Sequence, residues 1–549
     1  MSCSIAIINA DVRTMTGDQG HRAVAITGQK ITALGTNTQV RDLCDSNTHV
    51  IDANGGTVMP GFVESHMHLF FGAYSFRVLK LHDIEGTKPL TEAIRAFAAA
   101  HPDDTLLVAQ GLNYNAFDGG KDADRHILDQ ICKDRPLLLQ SSDFHNGWVN
   151  TIALTQAGIM QGRDLGPGSR VELDGDGTAT GVLTEPAAVS CIQALGAHGG
   201  RDVLGLEGRE PEGVVTADQR EADKSLLREG LAYCAQHGIT TIINMDGNLY
   251  QAELLRALED DGSLTCRLEL PYHFTPGEPD DSYEIAETMR RDLNTEMLWC
   301  NRVKFFMDGV LDMSTAYRVQ DYPEQAGYRS APLHTPERFA EVATELDKRG
   351  FQIAVHAIGD GAVRTVLDGY DAAQQANGPQ GNRHRVEHIE MIDPADIPRF
   401  AQLDAIASIM PPHVPGYGDF PFEPTLTLIG KDQWKDAYTC ATLNDAGARV
   451  CFSSDWPIAE LAPLHGINLA LNRAPWDDAH KDERLSFDET LAAYTVAGAY
   501  ACHREDLFGS LQIGFAADIV ILHRAVTPET IAHTQVATTI CNGSITYQR

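Results

Sequence analysis

Two histidines one residue apart close an apolar run near residue 60: Pro60-Gly61-Phe62-Val63-Glu64-Ser65-His66-Met67-His68. In a strand, positions i and i+2 point to the same side, so His66 and His68 together would make a two-imidazole grip for a divalent metal. The chain holds 21 histidines, so one H-x-H pair could arise by chance. Four further apolar runs carry polar residues at or near their ends: Val303-Lys304-Phe305-Phe306, Ala354-Val355-His356, Arg385-Val386-Glu387-His388 and Phe452-Ser453-Ser454-Asp455. Each of these residues, taken singly, reads as a hydrogen-bonded polar group at a strand end. A lysine inside an apolar strand is costly, however, unless its charge is lost or paired. Taken together, His66, His68, Lys304, His356, His388 and Asp455 are the donors expected of a metal site.

Such a site needs strands that deliver their ends to one place. Runs at 57–66, 239–245, 267–274, 302–307, 351–357, 384–389, 404–410 and 448–454 are apolar and bounded by polar residues or glycine, as strands buried on both faces should be. Helical patterns lie between several of them. Thr335-Pro336 followed by Phe339, Val342, Ala343 and Leu346, then Gly350, reads as N-cap, first turn, apolar stripe and C-terminal glycine. Leu227, Leu231 and Cys234 form a second stripe before Gly238. The expected class is α/β, a (β/α)8 TIM barrel spanning 57–504, with an open doubly wound sheet as the alternative. The chain ends carry short β-rich segments: Ile5–Asn9, Ala23–Thr27 and Ile31–Gly35 at one end, Ala517–Leu522 and Thr538–Tyr547 at the other, the last broken by the hairpin signal Asn542-Gly543. They are expected to pair as one composite β-sandwich of residues 1–56 plus 505–549. Residues 70–225 are too long for one βα unit. With strand-like Asp104–Gln110 and Pro136–Ser141 and a glycine-rich Gly166–Gly181, they are expected to be a subdomain inserted after the first barrel strand.

Composition narrows the partners. The net charge of −33 over 549 residues repels phosphates and anionic lipid heads, so neither nucleic acid nor a membrane surface is expected. Residues 196–200 lack the G-x-x-x-x-G-K-[ST] pattern of a phosphate loop. Eleven scattered cysteines without a C-x-x-C pair read as reduced. There is no apolar run of membrane-spanning length and no signal-like start, and the expected location is cytoplasmic. A homodimer is the default expectation for a soluble oligomer.

The ordered motifs resemble the amidohydrolase superfamily, within it the amidohydrolase-3 branch that includes N-substituted formamide deformylases. Pro60–His68 is similar to the first-strand motif, and Val303-Lys304-Phe305-Phe306-Met307-Asp308-Gly309 with Thr315-Ala316 to the lysine strand. His356-Ala357-Ile358-Gly359-Asp360, His388-Ile389-Glu390 and Ser454-Asp455-Trp456-Pro457 resemble the later strand motifs, and Gly509-Ser510-Leu511 through Ala517-Asp518-Ile519-Val520 the closing signature. His145-Asn146-Gly147-Trp148-Val149-Asn150 and Thr180–Glu185 also match, so the resemblance covers the whole chain. Met410 stands where the branch commonly has Gln, and Asn244-Met245-Asp246-Gly247 replaces a more usual His-Asp pair.

The resemblance implies two divalent ions, zinc first, with Mn, Co, Ni or Fe also suited to the donors. It implies that Lys304 is carboxylated and bridges them, that His66, His68 and Asp455 hold one ion, and that His356 and His388 hold the other. A metal-bound hydroxide would then attack the scissile carbonyl of an amide, N-formyl group or cyclic amide, with Asp455 as general base. His145 and His413 are candidates for the oxyanion or substrate, and Glu185 and Trp456 for the pocket. Phe70, Phe71, Phe306, Met307 and Trp456 point to a small apolar or aromatic substrate, although core packing accounts for several of them equally. Alternatives are a mononuclear deaminase or cyclic-ester hydrolase with Lys304 unmodified, and a non-catalytic regulatory protein on the same scaffold.

Overall fold

Eight parallel strands pair in the order of the sequence in the computed structural model, which describes all residues except 1, 82–83, 114–115, 118–122, 142–145, 166–168, 280–281, 324 and 479. They are β1 (Phe62–Met67), β2 (Ile239–Asn244), β3 (Arg267–Glu269, resuming at Tyr272–His273), β4 (Leu298–Trp299, resuming at Arg302–Phe306), β5 (Gln352–Ala357), β6 (Arg385–His388), β7 (Ile406–Ile409) and β8 (Arg449–Phe452). Each pairs in parallel with the next. Beyond β8 the chain returns to β1: the Asp455 N–H donates to the His66 carbonyl at 2.9 Å, and Met67 and Trp456 form a parallel bridge. Nearly every strand residue is buried, which accounts for the continuous apolar runs in the sequence.

Two expected boundaries need correction. The run 57–66 is two strands, not one. Thr57–Pro60 pairs antiparallel with Ile519–Leu522, whereas Phe62–Met67 pairs with β2. Gly61 is the break. A Cβ there would stand 2.2 Å from the Thr240 side chain, so only glycine allows the crossing. The run 267–274 is interrupted at Pro271, which has no N–H for the ladder.

The helix Pro336–Lys348 forms as its sequence requires. The Thr335 hydroxyl accepts the Arg338 N–H, and Phe339, Val342, Ala343 and Leu346 are buried. Burial of the larger of these side chains contributes roughly 1.5–3 kcal/mol each. Gly350, at φ 74°, ends the segment.

The chain ends build two further sheets. One orders Lys30–Gly35, Ala23–Thr27, Ile5–Ile8 and His49–Asp52; the other orders Asp11–Val12, Thr57–Pro60, Ile519–Leu522, Val536–Cys541 and Ser544–Gln548. A single apolar cluster takes Ile5, Ile7, Val24 and Ile26 from the first and Val58, Ile519, Ile521 and Ile540 from the second. Asn542 (φ 50°) and Gly543 (φ 76°) turn the last hairpin, both in the left-handed region that such turns need.

The described chain divides into two compact units. The first is Met1–Leu69 with Gly205–Glu210 and Arg228–Arg549; the second is Phe70–Leu204 with Pro211–Leu227. The second unit holds a six-stranded sheet in the order Arg170–Leu173, Ala179–Thr184, Asn146–Val149, Leu137–Ser141, Leu107–Leu112 and Leu79–Lys80. All eleven cysteines are free thiols. Among the described residues no helix is long and apolar enough to cross a membrane.

Candidate metal centre

The C-terminal ends of β1, β5 and β6 and the segment after β8 bring four histidines and one carboxylate together. His66 and His68 leave β1 side by side, and their Nε2 atoms stand 3.3 and 3.1 Å from Asp455 Oδ1. The His388 ring centroid lies 4.9 Å from that of His66 and 4.4 Å from that of His356. One donor atom from each of His66, His388 and Asp455 falls within 4.8 Å of the others. His388 (φ 75°) and Asp455 (φ 62°) both hold left-handed backbone, a conformation that costs non-glycine residues free energy and clusters at functional sites.

Hydrogen bonds fix two of the imidazole tautomers. Glu387 Oε2 accepts from His66 Nδ1 at 2.8 Å, which leaves the Nε2 lone pair toward Asp455. The Gly309 carbonyl accepts from His356 Nε2 at 3.0 Å, which leaves Nδ1 as that ring's lone-pair nitrogen. Both nitrogens of His388 are buried with no hydrogen-bond partner among the described residues, and so is Lys304 Nζ. Buried polar atoms are normally partnered, and an orphan of this kind asks for a ligand. The Lys304 amine sits 4.9 Å from the centroid of the Phe306 ring, which in turn lies 4.8 Å from the His356 ring.

The electrostatics favour ligand-ready states at His66, His356, His388 and Asp455, but not at His68, where burial is outweighed by Asp246 and Asp455 and the imidazole is raised above its ordinary value. Burial, followed by the charge of Lys304, lowers His66 to about 4 and His356 to about 3, so both are neutral at pH 7. Burial and the neighbouring histidines hold His388 well below the ordinary histidine range. Burial alone would raise the Asp455 carboxyl, but His66, His68 and His413 outweigh it and keep the group ionised. Burial pushes Lys304 down to about 8, so its amine sheds its proton far more readily than an ordinary lysine, though most of it is still charged at pH 7. Neutral imidazoles and an ionised carboxylate are the protonation states that metals bind.

The other candidates separate. His413 adjoins the cluster, its ring stacked 5.9 Å from His388, Nε2 3.8 Å from Asp455 Oδ2 and Nδ1 3.5 Å from Glu390 Oε1. Trp456 turns its ring toward Tyr233 on the helix Ala217–Gln236, with centroids 5.7 Å apart. It serves the cluster through its backbone, whose carbonyl accepts the His68 N–H at 2.8 Å. Met307 is core, fully buried. Glu185, Phe70 and Phe71 belong to the second unit, and His145 lies outside the described residues.

Three residues that the motif reading named without giving them a role, Glu387, Asp246 and Asn244, also bear on the site. Glu387 orients His66. Asp246 Oδ1 lies 3.4 Å from His68 Nδ1, and Gln251 Nε2 donates to its other oxygen at 3.0 Å. Asn244 Oδ1 accepts the Leu69 N–H at 2.7 Å and so secures the chain just past His68. The available signal was a carboxylate buried beside a candidate ligand, as in Glu387-His388.

Residues 49–547 match the family model described as "Amidohydrolase family", and the chain belongs to that family. It is 26% identical to the protein LONG AFTER FAR-RED 3 of Arabidopsis thaliana, over 91% of this chain and 83% of that one. It is 25% identical to an N-substituted formamide deformylase of Arthrobacter pascens, over 99% and 98%. Its fold is that of an uncharacterized metal-dependent hydrolase from Pyrococcus horikoshii OT3, at a TM-score of 0.74 and 21% identity over 94% and 96% of the two chains.

Proposed function

We propose that this amidohydrolase-family chain is a metal-dependent hydrolase that cleaves a non-peptide C–N bond in a small apolar or aromatic amide, N-formyl compound or cyclic amide. One observation carries the reading: Lys304 Nζ and both nitrogens of His388 are buried without hydrogen-bond partners among the described residues, in the same cluster as the converging His66, His68 and Asp455 donors. The donor set fits a metal pair. His66, His68 and Asp455 would hold one ion and His356 and His388 the other, with Lys304 between them as a carbamate. A carbamate turns a misfit buried amine into a bridging anion. Zinc suits these donors best, and Mn, Co, Ni or Fe also fit. When bound, the metal supplies Lewis acidity and a water activated near neutral pH. Asp455, ionised beside the histidines, would serve as general base toward water and as proton donor to the leaving amine. His413, beside Asp455 and His388, would donate to the substrate carbonyl. The pairing of β1 to β8 in sequence order supports a (β/α)8 barrel that begins at Phe62 and carries the site on its C-terminal face, with Thr57–Pro60 joining 1–56 and 505–549 as a composite β-sandwich and 70–225 as an insertion.

A mononuclear deaminase or cyclic-ester hydrolase is the second reading. It is favoured by the compact trio His66, His388 and Asp455, whose donor atoms lie within 4.8 Å of one another without His356. The test is a panel of N-substituted formamides, simple amides, cyclic amides, lactones and aminated heterocycles, assayed with zinc and bicarbonate and again after chelation. Chelator-sensitive release of an amine from amide-type substrates supports the first reading, and ammonia from heterocycles or ring-opening of lactones the second. A metal-loaded protein inert across the panel would favour a non-catalytic role.

A further inference from the structure

We propose that Glu387 is a positioning residue of the metal centre, holding the His66 ring so that its Nε2 lone pair stays on the point where His68 and Asp455 converge. The inference rests on the metal-centre reading above. Glu387 is fully buried, and its Oε2 lies 2.8 Å from His66 Nδ1. Arg385 grips both of its oxygens, Nε to Oε1 at 2.8 Å and a terminal nitrogen to Oε2 at 3.0 Å. That terminal nitrogen also donates to the Ser65 carbonyl at 2.7 Å and to Ser408 Oγ at 2.9 Å. One guanidinium therefore ties β1, β6 and β7 together beneath His66.

Packing alone is a poor reason for this arrangement. A buried ion pair often adds nothing over an apolar pair of the same volume, because desolvation offsets the attraction. What it supplies is direction. An ionised carboxylate can only accept, so the His66 proton must sit on Nδ1 and the lone pair on Nε2. Outer carboxylates of this kind fix ring orientation and raise ligand basicity in metal sites generally. The left-handed backbone at His388 relaxes the strict alternation of β6, so that adjacent residues can serve one site: Glu387 as the buttress of His66 and His388 as a donor. His68 has a weaker counterpart. Asp246 lies 3.4 Å from its Nδ1, and neither atom finds a well-aligned hydrogen bond.

The experiment is the zinc dissociation constant of wild type and Glu387→Gln by competition with a chromophoric chelator, with a thermal melt of each metal-free protein. The variant is expected to bind zinc about 10–100-fold more weakly at a temperature where both metal-free proteins are folded, and to melt below wild type because Arg385 loses its charged partner. Equal zinc affinity in the two proteins overturns the inference and leaves the metal centre standing. A wild type that binds no zinc overturns the metal-centre reading itself. If Glu387→Gln fails to fold, Arg385→Lys keeps the buried charge but loses the two-point grip. Several-fold weaker zinc binding by it is then expected, and wild-type affinity refutes the inference.

Discussion

The two sides of the histidine cluster are held by different means. On the β1 side, His66 is locked by a carboxylate at 2.8 Å and His68 faces another at 3.4 Å, and both aim Nε2 at Asp455. On the other side, His356 is held by a backbone carbonyl, His388 by no hydrogen bond among the described residues, and Lys304 by an aromatic face. Both sides leave buried polar atoms without a hydrogen-bond partner among the described residues: His68 Nδ1 and Asp455 Oδ1 on the first, both His388 nitrogens and the Lys304 amine on the second. They differ in orientation: carboxylates aim the rings of the first side, whereas no hydrogen bond among the described residues aims His388 or Lys304, and unpartnered buried atoms of this kind point to a ligand. The comparison predicts a tight first ion and a second that depends on Lys304.

The largest effect should come from the carboxylate the two sides share. Asp455→Asn is expected to lower kcat by about 10²–10⁴-fold on whichever substrate the wild type hydrolyses, the range for loss of a general base. A milder loss would mean that another group moves the proton.

Lys304→Met should break the second side alone. Metal content should fall from two ions per chain to one, with most of the activity lost. Metal-free stability in urea should stay level or rise, because about 1–3 kcal/mol of desolvation at an unpartnered donor is relieved. A strong loss of metal-free stability would show that the amine has a structural partner after all.

The pH dependence of lysine carboxylation sharpens the same point. Burial lowers Lys304 to about 8, below the ordinary lysine value of 10.5. Only the neutral amine takes up CO2. At fixed dissolved CO2 the carboxylation rate, followed by carbon-13 NMR, should rise about tenfold per pH unit below 8 and level off above it. A plateau only near 10.5 would place the amine in a solvated environment.

The smallest effect belongs to the weaker buttress. Asp246→Asn should weaken zinc binding by less than about tenfold, below the range for a fully bonded outer carboxylate. A larger loss than that of Glu387→Gln would reverse the ranking of the two histidines.

The sequence showed what is local and hid what is not. The H-x-H spacing of His66 and His68 and the polar ends of later apolar runs could be read because strand period and burial act over a few residues. Gly61 hid a strand break, because its necessity comes from Thr240 across the fold. The Glu387–His66 bond joins residues 321 apart; a carboxylate next to His388 marked Glu387 as a candidate, but nothing local says that its partner is His66. Trp456 looked like a pocket aromatic, yet its ring faces Tyr233 while its carbonyl serves His68. Neighbours in sequence revealed the donor list; only the pairing of distant strands revealed the tautomers and the buttresses.

Elemental analysis of protein purified without chelators and supplied with bicarbonate tests the central claim most directly. Two metal ions per chain, falling to one in Lys304→Met, is the expected result. No metal in the wild type, even after zinc and bicarbonate are supplied, would contradict it.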